Sequence, residues 1–141
     1  MKYNARVNEV VARLEGLANA HPYQPERASQ GALRILKTLS ECLLEITGMD
    51  AITLQPAAGA HGELTGILLV RAYLESKGNP RKKILIPDSA HGTNPATAAI
   101  CGYGVENLKS NAAGMVDVPS LAAQMNQDVA GLMLTDRKSV V

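Results

Sequence analysis

The sequence has no phenylalanine and no tryptophan, and four tyrosines are its only large aromatic side chains. A core built this way must be aliphatic and rich in alanine, which suits helices lying close on a sheet. Only two cysteines occur, Cys42 and Cys101, with no CxxC or metal-ligand spacing. They are expected as small buried hydrophobes in a reducing compartment. Neither sign of charge dominates: 14 basic against 13 acidic residues leave +1. That gives no field pointing to nucleic acid or to an anionic membrane surface. No apolar run reaches the roughly 18 residues that a membrane span needs. The start, Met1 to Arg6, lacks the apolar stretch of a signal peptide, and Glu9 and Glu15 argue against a mitochondrial presequence. The expectation is a soluble, cytoplasmic protein. What is present is 46% apolar residues over 141 positions, enough for one core that removes roughly 68–70% of the unfolded surface from water. Collagen-like, disulfide-stapled and charged disordered classes are excluded.

Periodicity then orders the chain. Val7, Val10, Val11 and Leu14 are spaced for a short helix ending near Gly16. Pro22 and Pro25 forbid a helix through His21-Pro22-Tyr23-Gln24-Pro25, while Pro25 and Glu26 suit the start of the next one. Leu36, Leu39, Leu43 and Ile46 continue that helix, and Gly48 ends it. Ala51 to Leu54 is a β-prone run. Helices are expected over His61–Ser76, Pro95–Ile100 and Pro119–Met125, and strands over Lys83–Pro87, Val105–Leu108 and Ala130–Leu134. Asn111 to Gly114 reads as a turn. Strands alternating with helices imply crossovers and a mostly parallel sheet. The apolar runs Ile84-Leu85-Ile86 and Leu132-Met133-Leu134 fit strands covered on both faces. The fold class is α/β with four strands, behind an N-terminal helical arm over residues 1–24 and with the main domain over 25–141.

In open α/β sheets, ligands bind beyond the carboxyl ends of the strands. Two loops are expected there, Gln55–Glu63 and Asp88–Asn94. In the first, Ala58-Gly59-Ala60-His61-Gly62 is small enough for close backbone approach, and the helix it opens offers N–H groups and a partial positive charge. It fits neither the Walker pattern nor GxGxxG, so both an anion cradle and an ordinary strand-to-helix turn stay open. In the second, His91 is a candidate base, metal ligand or stacking ring. The alternative is a loop whose Asp88, Ser89 and Thr93 cap backbone groups. A metal site joining Asp88 and His91 to His21 or His61 lacks the HxH or HExxH spacing of zinc enzymes. Arg81-Lys82-Lys83 reads as a solvated turn.

Five segments together resemble one family: Tyr3-Asn4 with Val7-Asn8, His21-Pro22-Tyr23-Gln24-Pro25, Ile46-Thr47-Gly48-Met49-Asp50, Leu54 to Gly66, and Pro87 to Ala96. They are similar to the P-protein of the glycine cleavage system, glycine dehydrogenase (decarboxylating), a pyridoxal-phosphate enzyme of fold type I. In its two-subunit form the likeness is to subunit 2. The resemblance runs from about Met1 to Thr135. It implies part of a fold-type-I large domain, with Ala58, Gly59, Ala60, His61 and Gly62 at the cofactor's phosphate and His91 stacked on its ring. Thr93 and Asn94 would support these groups, and His21 and Tyr23 would lie near the substrate end. Implied partners are glycine, the lipoylated H-protein that receives the aminomethyl group, and subunit 1, in an oligomer when the enzyme is intact. No nucleic acid and no membrane are implied.

The resemblance fails after Thr135, where the family reads Asn-Pro-Asn and this chain reads Asp136-Arg137-Lys138-Ser139-Val140-Val141. The family's Schiff-base lysine lies beyond that point, and none of the chain's lysines matches it. The chain is therefore expected to be a truncated form that binds cofactor weakly and does not turn over glycine. Its last strand is expected to expose an edge that invites self-association. The rival expectation is a non-enzymatic anion- or nucleotide-binding α/β module; a metal hydrolase is third.

Overall fold

A computed structural model of the chain describes residues 5–134. The expectations attached to Tyr3, Asn4 and the stretch Thr135 to Val141 lie outside the described residues. By packing, the chain divides into two compact units between Gln55 and Pro56.

The first unit is helical. Helix α1 spans Arg6–Ala12, a 3-10 turn spans Glu26–Ala28, and α2 spans Gln30–Thr47. The expected helix from Pro25 is thus interrupted at Ser29, which accepts a hydrogen bond from the Gln24 amide (2.7 Å). At the other end Gly48 takes the left-handed conformation (φ 66°) and donates to the Leu44 carbonyl, a geometry that penalises any residue with a Cβ. Neither α1 nor α2 contains a buried residue. Cys42 is consequently exposed and not the buried hydrophobe expected; only Cys101 is buried. The β-prone run Ala51 to Leu54 forms no strand. A strand needs a ladder partner, and here the Gln55 N–H turns back to the Thr53 hydroxyl instead.

The second unit holds the sheet. Helix α3 spans Gly59–Ser76, β1 Lys83–Pro87, α4 Thr93–Ile100, β2 Gly104–Leu108, α5 Val118–Gln124 and β3 Val129–Leu132. Among the described residues three strands, not four, form a parallel sheet in the order β2-β1-β3. Central β1 is covered on both faces because consecutive residues point opposite ways. Ile84 and Ile86 pack with Ala98, Cys101 and Tyr103, joined by Leu64 and Ile67 of α3. Leu85 packs with Leu108, Val129 and Leu121 of α5. Among the described residues the core is mainly aliphatic, as the missing phenylalanine and tryptophan imply, but it is not alanine-rich: Ala98 is its one buried alanine, and Tyr103 brings in an aromatic ring.

Pro95 is the third residue of α4, where a missing N–H costs no intrahelical bond, so the helix begins two residues before it. The Arg71 guanidinium of α3 donates to the Cys101 carbonyl at the end of α4 (2.8 Å) and pairs with Glu75, which raises its pKa through that hydrogen bond and charge. Arg81 does not sit in a solvated turn: it is half-buried, and its guanidinium donates to the Val129 carbonyl (2.7 Å). Lys83 pairs with Glu106 across β1 and β2 at 2.7 Å.

Candidate functional site

The carboxyl end of β1 runs into Asp88-Ser89-Ala90-His91-Gly92 and then into α4. Asp88 fixes the start of this loop. Its carboxylate accepts from the Ser110 N–H and from the Ser110 hydroxyl beyond β2, and these bonds hold its pKa below the ordinary value. Stabilisation of that sign is complete above the unfolded carboxylate range, about pH 4, and is lost as pH falls through the lowered folded value. Ser110→Ala should lower the melting temperature at neutral pH, where the hydroxyl bond contributes fully, and flatten the acid limb, so that the two chains converge as pH falls below about 4. Melting curves across that range check it; an unchanged acid limb would contradict the assignment.

Helix α3 starts at small residues. Its N-cap, Ala58, is extended (φ −147°, ψ 163°) and offers no side-chain cap. The Gly62 N–H closes the first turn onto the Ala58 carbonyl at 3.0 Å. A Cβ placed on Gly59 or on Gly62 would meet nothing within 4 Å, so both backbones border open space. No strand precedes this turn, contrary to expectation; α3 is positioned by packing against α4 and β3.

The turn and the His91 loop meet all the same. The Thr93 hydroxyl donates to Glu63 Oε2 at 2.8 Å, across thirty residues of chain. His91 Nδ1 lies 2.8 Å from the same hydroxyl and 3.2 Å from the Thr93 amide nitrogen. Beside this contact, Gly62, Glu63, Gly66, Asn94, Leu132 and Met133 help to line a cavity of about 430 Å³. Asn94 is buried in its wall. His61 is exposed in the first turn of α3, and its carbonyl accepts from the Thr65 hydroxyl.

His21 belongs to the first unit. There its Nδ1 accepts from the Tyr23 N–H (3.1 Å), with the two rings 5.6 Å apart. Among the described residues no group of three or more His, Cys, Asp or Glu is arranged to hold a metal ion. No helix among them is long and apolar enough to cross a membrane. Sequence reasoning did not pick out Glu63 as a site residue. Its signal was present: a carboxylate at the end of the small-residue turn, one position after Gly62 and thirty before Thr93.

With this geometry in hand, known proteins are informative. The chain is 58% identical over 136 residues to the "probable glycine dehydrogenase (decarboxylating) subunit 2" of Chloroherpeton thalassium. It is 59% identical over 137 residues to the protein of that name from Desulforamulus reducens. Each alignment covers 96% of this chain. Over its own length, the chain closely resembles that family. It spans about 28% of the length of these relatives. No protein-family model matches the chain. Among solved structures it resembles the glycine decarboxylase (P-protein) of the glycine cleavage system in inhibitor-bound form, with TM-score 0.59 and 24% identity over 76% of this chain and 24% of that one. It also resembles a sphingosine-1-phosphate lyase from Burkholderia pseudomallei, with TM-score 0.59 and 16% identity over 76% of this chain and 27% of that one. These likenesses establish the fold, an α/β unit with a small parallel sheet as expected. The likeness to subunit 2 is carried by the sequence alignments.

Proposed function

We propose that this chain forms part of the cofactor site of a cytoplasmic glycine-decarboxylating enzyme, and that the cofactor is pyridoxal phosphate. One observation carries the reading: the Glu63–Thr93 hydrogen bond, which ties the α3 turn to the His91 loop at one edge of the sheet. The names of the subunit 2 relatives support the same assignment.

The residues suit the group. An uncapped helix N-terminus with glycines facing open space accepts a phosphate through backbone N–H groups and the helix dipole, without a basic side chain. Ala58, Gly59, Ala60, His61 and Gly62 supply that turn, His91 supplies a flat ring, and Thr93 holds the ring by its Nδ1 edge. Bound pyridoxal phosphate supplies an electron sink for the charge left when a carboxylate departs. The chain's own residues bind and orient. In the whole protein, glycine is the substrate, the aminomethyl product passes to a lipoylated H-protein, and subunit 1 completes the oligomer.

No lysine lines the cavity among the described residues, which favours binding without turnover by this chain alone. Titration of the purified chain with pyridoxal phosphate, followed by absorbance, should show weak saturable binding that inorganic phosphate reverses. Borohydride should fix no adduct at one defined lysine, and glycine should yield no CO₂. Binding indifferent to phosphate would overturn the cofactor seat; a single fixed lysine with CO₂ release would overturn the absence of turnover.

A further inference from the structure

The first unit has no core of its own: among its described residues, from 5 to 55, none is buried. A helix of 18 residues is marginal in water and draws its stability from covering one face. On α2 that face has a definite pattern. Ala32, Leu36, Leu39 and Leu43 follow a four-three-four spacing, the seam of a helix that packs on another helix. Leu33, Ile35, Leu36 and Leu39 are each 45–54% exposed. Beside the seam, Gly31, Thr38 and Cys42 help to line a groove of about 510 Å³, where small side chains let a second helix come close.

The charges say which helix fits. Arg34 and Lys37 lie in the first half of α2, Glu41 and Glu45 in the second. None occupies the seam or the positions flanking it, and Lys37 pairs with Glu41 away from it (3.2 Å). A seam without charge does not repel its own image. Set antiparallel, a second α2 brings its acidic half alongside the basic half of the first and opposes the helix dipoles; set parallel, like lies beside like. Side-chain volumes agree. A two-fold axis between Lys37 and Thr38 places Leu36 against Leu39 and Ala32 against Leu43, so each layer finds its partner within the seam. Parallel pairing would set Ala32 against Ala32 and leave a gap. Ile46, the next position of the series, would face Ser29 beyond the start of the helix and stays outside the contact.

We propose that α2 is a self-docking surface, on which a second copy of this chain binds antiparallel through Ala32, Leu36, Leu39 and Leu43. The contact does not depend on the cofactor reading, and it lies on a different element from the β3 edge.

Four layers make a small contact, so sedimentation equilibrium of the purified chain should pass from one chain to two over about 10 μM to 1 mM. Leu36→Glu should weaken association by about a hundredfold or more, since each dimer then buries two carboxylates. Leu36→Met keeps the volume and should keep the association. Amide spectra of Ile84, Leu85 and Ile86 verify that the second unit of each variant is folded. Direction is read without disrupting the helix. Leu36→Cys and Leu39→Cys chains, each made with Cys42→Ser, should oxidise to a covalent dimer faster when mixed than either does alone; a parallel pair reverses that order. A chain that stays single throughout overturns the proposal, whether α2 is then melted or covered from within. Association that survives Leu36→Glu overturns it too, and moves the contact to another surface such as the β3 edge.

Discussion

Ala58→Asp should make the second unit more stable and, at the same time, lower its affinity for pyridoxal phosphate by about tenfold or more. The opposite signs arise from one set of atoms. Ala58 is the exposed, extended N-cap of α3 and offers no side-chain acceptor. An aspartate there accepts from the first-turn N–H groups, a cap that stabilises by about 0.5–2 kcal/mol. Those same N–H groups are the proposed phosphate seat, and the new carboxylate adds like-charge repulsion against a phosphate. Ala58→Ser separates the two contributions, since its hydroxyl caps without charge and should weaken binding less. Thermal melting without ligand and phosphate-competed titration measure the pair. An Ala58→Asp chain that gains stability and still binds as before would remove the phosphate from α3.

Leu85→Ala should cost about 2–5 kcal/mol, a large share of the roughly 5–15 kcal/mol that holds a domain folded. Leu85 is fully buried in the central strand and packs with Leu108, Val129 and Leu121. Its removal opens a cavity between the sheet and α5 that neighbouring strands cannot collapse into. Ile46→Ala, at a position 78% exposed on α2, should change stability by only about 0.5 kcal/mol or less. Urea unfolding with amide exchange read at Ile84, Leu85 and Ile86 distinguishes the second unit from the first. Equal effects of the two substitutions would contradict the burial pattern.

Much of the second unit was legible because its signals are local. The run Lys83 to Pro87 is apolar, β-rich and closed by a proline, and it forms a strand with those bounds. Gly48 stops α2 because glycine alone takes φ 66° without penalty. Where a segment depended on a distant partner, the letters fell short. Ala51 to Leu54 has strand propensity and no strand beside it. Cys42 lies in an apolar helix that buries none of its residues. Arg81 looked like one of three surface charges until Val129, 48 residues on, supplied a carbonyl for its guanidinium.

The site divides in the same way. Residue types alone set the small-residue turn from Ala58 to Gly62 and the polar loop carrying His91 and Thr93, since glycine permits close approach and hydroxyl and imidazole groups carry the hydrogen-bonding chemistry. They also fixed an aliphatic core, through the absence of phenylalanine and tryptophan. Only the tertiary structure decided that Glu63 would be the carboxylate facing Thr93, and that Asp88 would be held by Ser110. A hydrogen bond needs its atoms at one place to within a few tenths of an ångström. Across thirty residues, that placement belongs to the packing of α3 against α4.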